Sequence, residues 1–337
     1  MTSASQATRF SILDRSRTRR GQSHPEALRE TVEFARLAES WGYHRFWVSE
    51  HHSVPGVAGS APTVLAAAIA AATDHIRIGT GGVMLPNHQP LVVAEQFGTL
   101  EALFPGRIDM GLGRSVGFTD GVRRALGHGR DDADDFDAQL TELLDYFTRG
   151  RNGVHAWPAE GLRVPAYLLA TGSGAERAAR FGLPLVIAAV SGEEAMVEAI
   201  TNYRNGFRVT EWGAAPYVIV SASVVIADTA EAAHRLLLPE AWSAAYSRTR
   251  GEFPPLLSPE DIEREPMTDR QRRLFEESLR GHIHGPESIV LPALDRLIAH
   301  TGADEILVHT STYDREARMN SHRRLAEAVS ARPSVTV

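Results

Sequence analysis

Strand-like and helix-like segments alternate along the whole chain of 337 residues. Each short apolar or β-branched run is followed by a stretch in which apolar residues recur every three or four positions. Repeated strand-helix units that end on a helix predict an α/β fold, a (β/α)₈ TIM barrel, rather than an open doubly wound sheet. The predicted strands are 10–13, 44–49, 76–85, 107–112, 166–170, 185–189, 217–227 and 305–309, and the main predicted helices are 27–41, 90–103, 134–147, 193–207 and 315–329.

One segment, residues 239–285, interrupts this alternation before the last strand. It is polar, rich in Arg and Glu, and contains Pro254, Pro255, Pro259 and Pro266. Connections of this length inside a compact domain are usually functional or partly disordered. We interpret 239–285 as a mobile lid inserted into a single barrel domain that spans 1–337. The alternative is a solvated excursion with no role in catalysis.

Composition excludes several kinds of chemistry. The chain has no cysteine, which excludes disulfides, thiolate nucleophiles and cysteine-ligated metal clusters. It also has no lysine, which excludes Schiff-base enzymes and P-loop NTPases. A net charge of −7 without a basic block argues against a nucleic-acid partner. The N-terminus lacks a secretory pattern and no apolar run could span a bilayer, so we expect a cytoplasmic protein without membrane contact.

The second predicted strand ends in Glu50, His51 and His52. Strand alternation should point one imidazole into the barrel mouth, where the active site of such a barrel lies, and the other away from it. An inward histidine could exchange a proton near neutral pH, although adjacent histidines are often structural. A metal site is not predicted, because no further ligand stands at a recognisable spacing; His282 and His284 lie in the insertion.

Small and polar residues follow three other strands. The third strand contains Gly79, Gly81 and Gly82, which indicates a bend or close approach by a ligand. The fourth leads into Arg114 and Ser115, which places a cation at the barrel mouth. The fifth runs into a helix through a turn suited to holding a phosphate, unless Ser173 acts only as a helix cap. That turn consists of Ala170, Thr171, Gly172, Ser173 and Gly174.

These motifs, taken in order, resemble one family. The stretches that carry the resemblance are Glu50-His51-His52, Gly79-Thr80-Gly81-Gly82, Phe104-Pro105-Gly106-Arg107 and Gly111-Leu112-Gly113-Arg114. They look like the bacterial luciferase-like flavin monooxygenases, and the resemblance covers most of residues 9–331. It implies reduced FMN delivered by a separate reductase, a flavin hydroperoxide formed with O₂, and oxygenation of a small organic substrate such as an aldehyde. It also implies a homodimer.

The resemblance further implies roles for individual residues. His51 corresponds to the catalytic histidine and His52 to its companion. Gly81 and Gly82 correspond to a pair joined by a non-proline cis peptide beneath the flavin ring. Arg114 and Ser115 correspond to flavin and phosphate contacts, and Ala170 to Gly174 to the phosphate turn.

The chain departs from luciferase itself at two places. Gly113 stands where luciferase carries a reactive cysteine, and the phosphate turn is one residue shorter, so light emission is not implied. Three other functions stay open from the sequence: hydride transfer with a deazaflavin, flavin binding without catalysis, and metal-dependent hydrolysis. The alanine-rich stretch 61–72 is either a dimer surface or a helix packed against the barrel.

Overall fold

The structure is a computed structural model that describes residues 8–117, 119–172 and 174–331. Ser173, one of the predicted phosphate-turn residues, lies outside the described residues. The strands are β1 (Arg9–Asp14), β2 (Arg45–Val48), β3 (Arg77–Thr80), β4 (Val83–Met84), β5 (Ile108–Gly113), β6 (Ala166–Ala170), β7 (Leu185–Ala188), β8 (Val218–Ala222), β9 (Val224–Ile226), β10 (Ile283–Gly285) and β11 (Glu305–Val308).

Twelve α-helices connect or flank these strands within the described ranges. They are α1 (His24–Ser40), α2 (Pro62–Ala72), α3 (Pro90–Leu103), α4 (Asp120–Leu126), α5 (Phe136–Thr148), α6 (Gly174–Phe181), α7 (Glu193–Gly206), α8 (Ala230–Arg250), α9 (Pro259–Arg264), α10 (Asp269–Ser278), α11 (Glu287–Thr301) and α12 (Arg315–Ser330). None of the helices in this part of the chain combines the length and the hydropathy needed to cross a membrane.

Eight parallel strands close into a barrel. Their order is β3, β2, β1, β11, β8, β7, β6 and β5, and β5 pairs back with β3 through Ile78 opposite Ile108. β4 continues β3 beyond Gly81 and Gly82 and pairs with β5. The predicted (β/α)₈ barrel is therefore confirmed.

The interior of the barrel is layered from apolar to ionic. Trp47, Val186 and Leu307 form part of an inner apolar cluster. Below it, at the start of the strands, the Arg45 guanidinium lies 2.7 Å from both Asp109 and Glu305, and all three side chains are at most 2% exposed. Since this ion network fills the amino end of the barrel, a ligand can reach the interior from the carboxyl end.

Two predicted strands are divided in the structure. The predicted strand 217–227 becomes β8 and β9, because the chain leaves the barrel at Ser223 and β9 pairs with β10 instead. The backbone N–H of Val224 donates to the Thr310 hydroxyl at 2.9 Å, which supports the turn. The predicted strand 76–85 ends at Thr80 and resumes at Val83, with the two glycines between.

The insertion at 239–285 contains regular structure. It comprises the second half of α8, then α9, α10 and β10, and α8 ends at Gly251 in a left-handed cap. Backbone hydrogen bonds of 2.8 Å join Gly56 to Phe253 and Leu256 to Thr18. The insertion is therefore attached to the loops that follow β1 and β2, on the side of the barrel where the strands end.

Candidate active site

A cavity of about 420 Å³ lies at the carboxyl ends of β5, β6 and β7. Its floor is apolar and comes from residues within the strands, whereas its rim is polar and comes from the loops beyond them. The floor includes Leu13, Leu168, Leu169, Val186 and Leu307, and the rim includes Arg114, Ser115, Thr171, Gly174 and Arg177. Such a cavity suits a ligand with a flat apolar part and an anionic part.

The turn before α6 forms one side of the rim. Gly172 has a φ of +51°, and the backbone N–H groups of Gly174 and Ala175 donate to Thr171 and Gly172 at 3.1 Å. The turn brings the first residue of α6 to the cavity, where the positive end of the helix dipole favours an anion. Ala170, Thr171 and Gly174 line the cavity, and Gly172 lies in the turn; that they bind a phosphate stays a prediction.

Arg177 is a rim residue that the sequence analysis missed. It lines the cavity from the first turn of α6, three residues after Gly174, and its guanidinium lies 5.7 Å from the centre of the Phe136 ring. Its Nε donates to Asp137, which also accepts from Arg180. The signal that could have found it is the i, i+3 spacing, which puts both residues on one helix face.

Arg114 and Ser115 both line the cavity from the loop after β5. The Arg114 guanidinium donates to the carbonyl of Ala133 at 2.9 Å and to the Asp134 carboxylate at 3.0 Å. Its side chain is 48% exposed and that of Asp134 is 78% exposed, so the pair is a weak surface contact. Arg114 can therefore turn from this pair to an anion at the rim with little loss.

Gly81 and Gly82 are joined by a cis peptide bond, which confirms that expectation. A Cβ on Gly81 would lie 2.7 Å from Cδ1 of Leu13, and a Cβ on Gly82 would lie 2.6 Å from the carbonyl oxygen of Gly111. A side chain at Gly82 would require the backbone of Gly111 to move, whereas one at Gly81 would require a shift of the Leu13 side chain. The pair lies behind Leu13, which belongs to the cavity floor.

Glu50 is the centre of a buried hydrogen-bond network. Its carboxylate accepts from Nε2 of His52 at 2.9 Å and from Nε2 of His88 at 2.8 Å. The Asn87 amide and the Met84 backbone N–H also donate to it, each at 3.0 Å. Burial alone would raise the pKa of Glu50, but the bonds from the two histidines and Asn87 outweigh it and lower the pKa to about 2. The carboxylate is therefore ionised at neutral pH.

His88 is a third possible metal ligand beside Glu50 and His52, which the sequence did not reveal. Glu50, His52 and His88 place one ligand atom each within 4.8 Å of one another, a grouping that could hold a metal ion. His88 is far from the other two in sequence, so no short spacing could reveal it. Each Glu50 oxygen already accepts two hydrogen bonds, which completes the network without an ion. That the site holds no metal stays a prediction.

His51 belongs to a different environment from His52. Its Nδ1 lies 3.2 Å from the Ser49 hydroxyl, and its backbone N–H donates to Gly59 at 2.8 Å. Burial, followed by the positive charges of Arg15 and Arg17, lowers the pKa of His51 to about 4. The imidazole is therefore neutral at pH 7 and able to accept a proton. The two adjacent histidines have different partners, and both lie beyond the end of β2, where strand alternation no longer applies; that one of them points into the barrel mouth stays a prediction.

Comparison with known proteins agrees with this geometry. The sequence profile described as luciferase-like monooxygenase matches residues 8–287. The chain belongs to the luciferase-like monooxygenase family. It is similar to the protein YvbT of Bacillus subtilis, at 39% identity over 95% of this chain and 96% of that one. It is also similar to a luciferase-like monooxygenase of Escherichia coli K12, at 36% identity over 93% and 94% of the two chains. The family and these relatives identify the chain as an enzyme.

Solved structures confirm the fold. The crystal structure of apo-MsnO8 is 33% identical, has a TM-score of 0.86 and matches 97% of this chain and 99% of its own. More distant members share the fold alone. They include the oxygenating constituent of 3,6-diketocamphane monooxygenase of Pseudomonas putida in complex with FMN, at 19% identity and a TM-score of 0.72. An F420-dependent secondary alcohol dehydrogenase has 17% identity and a TM-score of 0.70. The fold therefore serves both FMN and the deazaflavin F420.

Proposed function

We propose that this enzyme is a flavin-dependent monooxygenase that uses reduced FMN and O₂ to oxygenate a small organic substrate. The observation that carries the proposal is the cavity at the barrel mouth, with an apolar floor and an anion-binding rim. Family membership supports the same reaction class. A separate flavin reductase would supply the reduced FMN.

The rim fits the phosphate of FMN. Arg114, Thr171, Arg177 and the first residue of α6 all line it, and together these residues carry charged and neutral donors. The apolar floor suits the flavin ring, and the volume of about 420 Å³ falls within the range of small-molecule sites. When bound, reduced FMN would supply the two electrons with which O₂ is activated.

The chain's own residues would position and protect this chemistry. His51, neutral and half-buried, would hold or move a proton at its imidazole as oxygen is transferred. Glu50 fixes the end of β4 through the backbone N–H of Met84, and Met84 lines the cavity. The apolar floor would exclude water from the reacting atoms.

The competing function is hydride transfer with a reduced deazaflavin. Anaerobic titration with reduced FMN and with reduced deazaflavin, followed by rapid mixing with O₂, separates the two. We expect binding of FMN and an oxygen-dependent absorbance change that precedes reoxidation. Binding of the deazaflavin alone, without an oxygen-dependent species, would replace the proposal with hydride transfer. Binding of FMN without turnover of any substrate would favour a flavin-binding protein.

A variant of Arg177 tests the proposed phosphate site. Arg177→Ala should raise the Kd for FMN about tenfold or more, because a charge-assisted hydrogen bond contributes roughly 1.5–3 kcal/mol. The matched control is Arg180→Ala, since Arg180 shares the helix and the Asp137 partner but does not line the cavity. Arg114→Ala should weaken binding in the same direction. Equal Kd values for wild type and Arg177→Ala would show that Arg177 does not contact the FMN phosphate.

We also propose that the enzyme is a homodimer that pairs through the outer faces of α2 and α3. The inner face of α2 is buried against the barrel through residues such as Leu65 and Ile69. Its outer face leaves Val64 69% exposed, and Val92 and Leu103 of α3 are 45% and 65% exposed. Exposed apolar side chains on neighbouring helices are typical of a protein interface.

A further inference from the structure

Two arginines at the barrel mouth lie outside the cavity described above. Arg15 and Arg17 follow β1 directly, and both are half-buried. Arg15 forms an ion pair with Glu240 of α8 and donates to the carbonyl of His309 at 3.2 Å. Arg17 donates to the Ser243 hydroxyl at 2.5 Å and to the carbonyl of Pro254 at 3.2 Å. The insertion thus forms one wall around two cations.

The charges in this cluster do not balance. Within the described residues Arg15 pairs with one carboxylate, Glu240, and no carboxylate lies within ion-pair distance of Arg17. The adjacent Asp14 is already paired with Arg318 at 2.9 Å. The Phe253 ring lies 5.6 Å from the Arg17 guanidinium, but an aromatic ring carries no net charge. A buried cation without a counter-charge is costly, so the two arginines keep one positive charge that no carboxylate among the described residues balances.

The neighbouring histidines do not supply the missing counter-charge, since a neutral or protonated imidazole carries none. Burial, and then the charge of Arg15, lowers the pKa of His309 to about 3, and His282 is shifted in the same direction. Burial followed by the proximity of Arg15 lowers the pKa of Arg17 to about 9. The cluster therefore holds two guanidiniums, one carboxylate and uncharged imidazoles at neutral pH.

The two arginines that carry the excess charge also have N–H donors without acceptors. Nε of Arg15 and Nε of Arg17 are enclosed and have no hydrogen-bond partner among the residues that the structure describes. A buried donor without a partner costs about 1–3 kcal/mol, so an acceptor that reached both donors would relieve that cost as well as the excess charge. A guanidinium presents paired N–H groups that match an oxyanion.

The cluster adjoins the cavity on the side away from α6. Leu13 of the cavity floor stands two residues before Arg15, and Ser221, which also lines the cavity, lies 3.1 Å from Nδ1 of His309. The charges of both arginines lower the pKa of His51. A molecule bound by Arg15 and Arg17 would therefore lie close to His51 and next to the cavity, on the side away from the proposed phosphate site.

We propose that Arg15 and Arg17 bind the negatively charged group of the substrate, and that the substrate is a small molecule with a carboxylate or sulfonate. The proposal rests on the proposed function, because it places the substrate beside His51 and the flavin cavity. The oxyanion neutralises the excess cation, and the remainder of the molecule extends over the apolar floor. The insertion contributes specificity, since Glu240 and Ser243 hold the two guanidiniums in place.

Calorimetric titration of the full chain, with and without FMN, tests this site. Benzoate and benzenesulfonate are the anionic probes and benzyl alcohol is the neutral one. We expect at least one anion to bind tenfold or more tightly than the alcohol. Arg17→Gln should remove this difference and leave the Kd for the alcohol and for FMN unchanged. The matched control is Arg20→Gln in the same loop, because Arg20 is 53% exposed and pairs with surface carboxylates.

Several outcomes would overturn the proposal. Equal affinity of wild type for all three probes would do so, and this comparison needs no variant. Equal preference for anions in wild type and Arg17→Gln would also do so. If Arg17→Gln fails to fold, Arg17→Lys keeps the positive charge but lacks the paired N–H groups of the guanidinium, and it should show a reduced preference for the anions over benzyl alcohol. FMN binding measured in the same samples separates a failure here from a failure of the proposed function.

Discussion

Replacement of Glu50 by glutamine tests the network behind the active site. The carboxylate is 4% exposed and accepts four hydrogen bonds, from His52, His88, Asn87 and the backbone of Met84. Glutamine has almost the same volume, but one of its two terminal atoms is an NH₂ donor. That donor would face two N–H groups that previously donated to Glu50, so both would lose their acceptor.

The cost follows from this geometry. Each buried donor that loses its acceptor costs about 1–3 kcal/mol, so Glu50→Gln should lower the free energy of unfolding by roughly 2–6 kcal/mol. At about 2 °C per kcal/mol, Tm should fall by roughly 4–12 °C at pH 7. Glu194→Gln is the control, since Glu194 is exposed on α7. The measurement is thermal unfolding followed by circular dichroism.

The same variant has a defined dependence on pH. The pKa of Glu50 falls from its ordinary value of 4.5 to about 2 in the folded state. Its ionisation therefore stabilises the fold at pH values above 4.5, by on the order of 3 kcal/mol, and this contribution is lost as the pH falls from 4.5 towards 2. The difference in stability between wild type and Glu50→Gln should narrow over that range. A Tm unchanged by the substitution at pH 7 would refute the reasoning.

Three further predictions concern catalysis, the ion network at the amino end of the barrel, and dimer formation. His51→Ala should keep the Kd for FMN and lose most turnover. In wild type, kcat/KM should stay level from pH 7 to pH 5, because the pKa of His51 is about 4. A decline in kcat/KM centred near pH 6.5 would contradict this. Arg45→Met should lower the free energy of unfolding by about 3–5 kcal/mol, because the charges of Asp109 and Glu305 stay buried without their partner. An unchanged denaturation midpoint would contradict this prediction. Val64→Asp should yield monomers in sedimentation velocity, and a persisting dimer would exclude this face.

The sequence predicted the features that depend on local pattern. Strand-helix alternation was sufficient for the barrel. His51 and His52 lie beyond the end of β2, and their different partners come from contacts made in the fold. The helices of the insertion were not predicted, because Pro239 lies inside α8 and further prolines follow it. Contacts made by barrel closure were not predictable. His88 reaches Glu50 from beyond the next strand, and Arg17 meets the insertion more than two hundred residues later.

The mouth of the barrel is built in two halves with separate origins in the chain. The phosphate half comes from β5, β6 and α6, whereas the cationic half comes from the loop after β1 and from the insertion. Because the insertion is bonded to the loops after β1 and β2, we expect it to be a fixed wall that positions Arg15 and Arg17, whereas the lid interpretation requires it to close over the cofactor. Ser243→Ala should accordingly weaken anion binding and leave the Kd for FMN unchanged. A loss of FMN affinity in that variant would show that the two halves are coupled, as a closing lid requires.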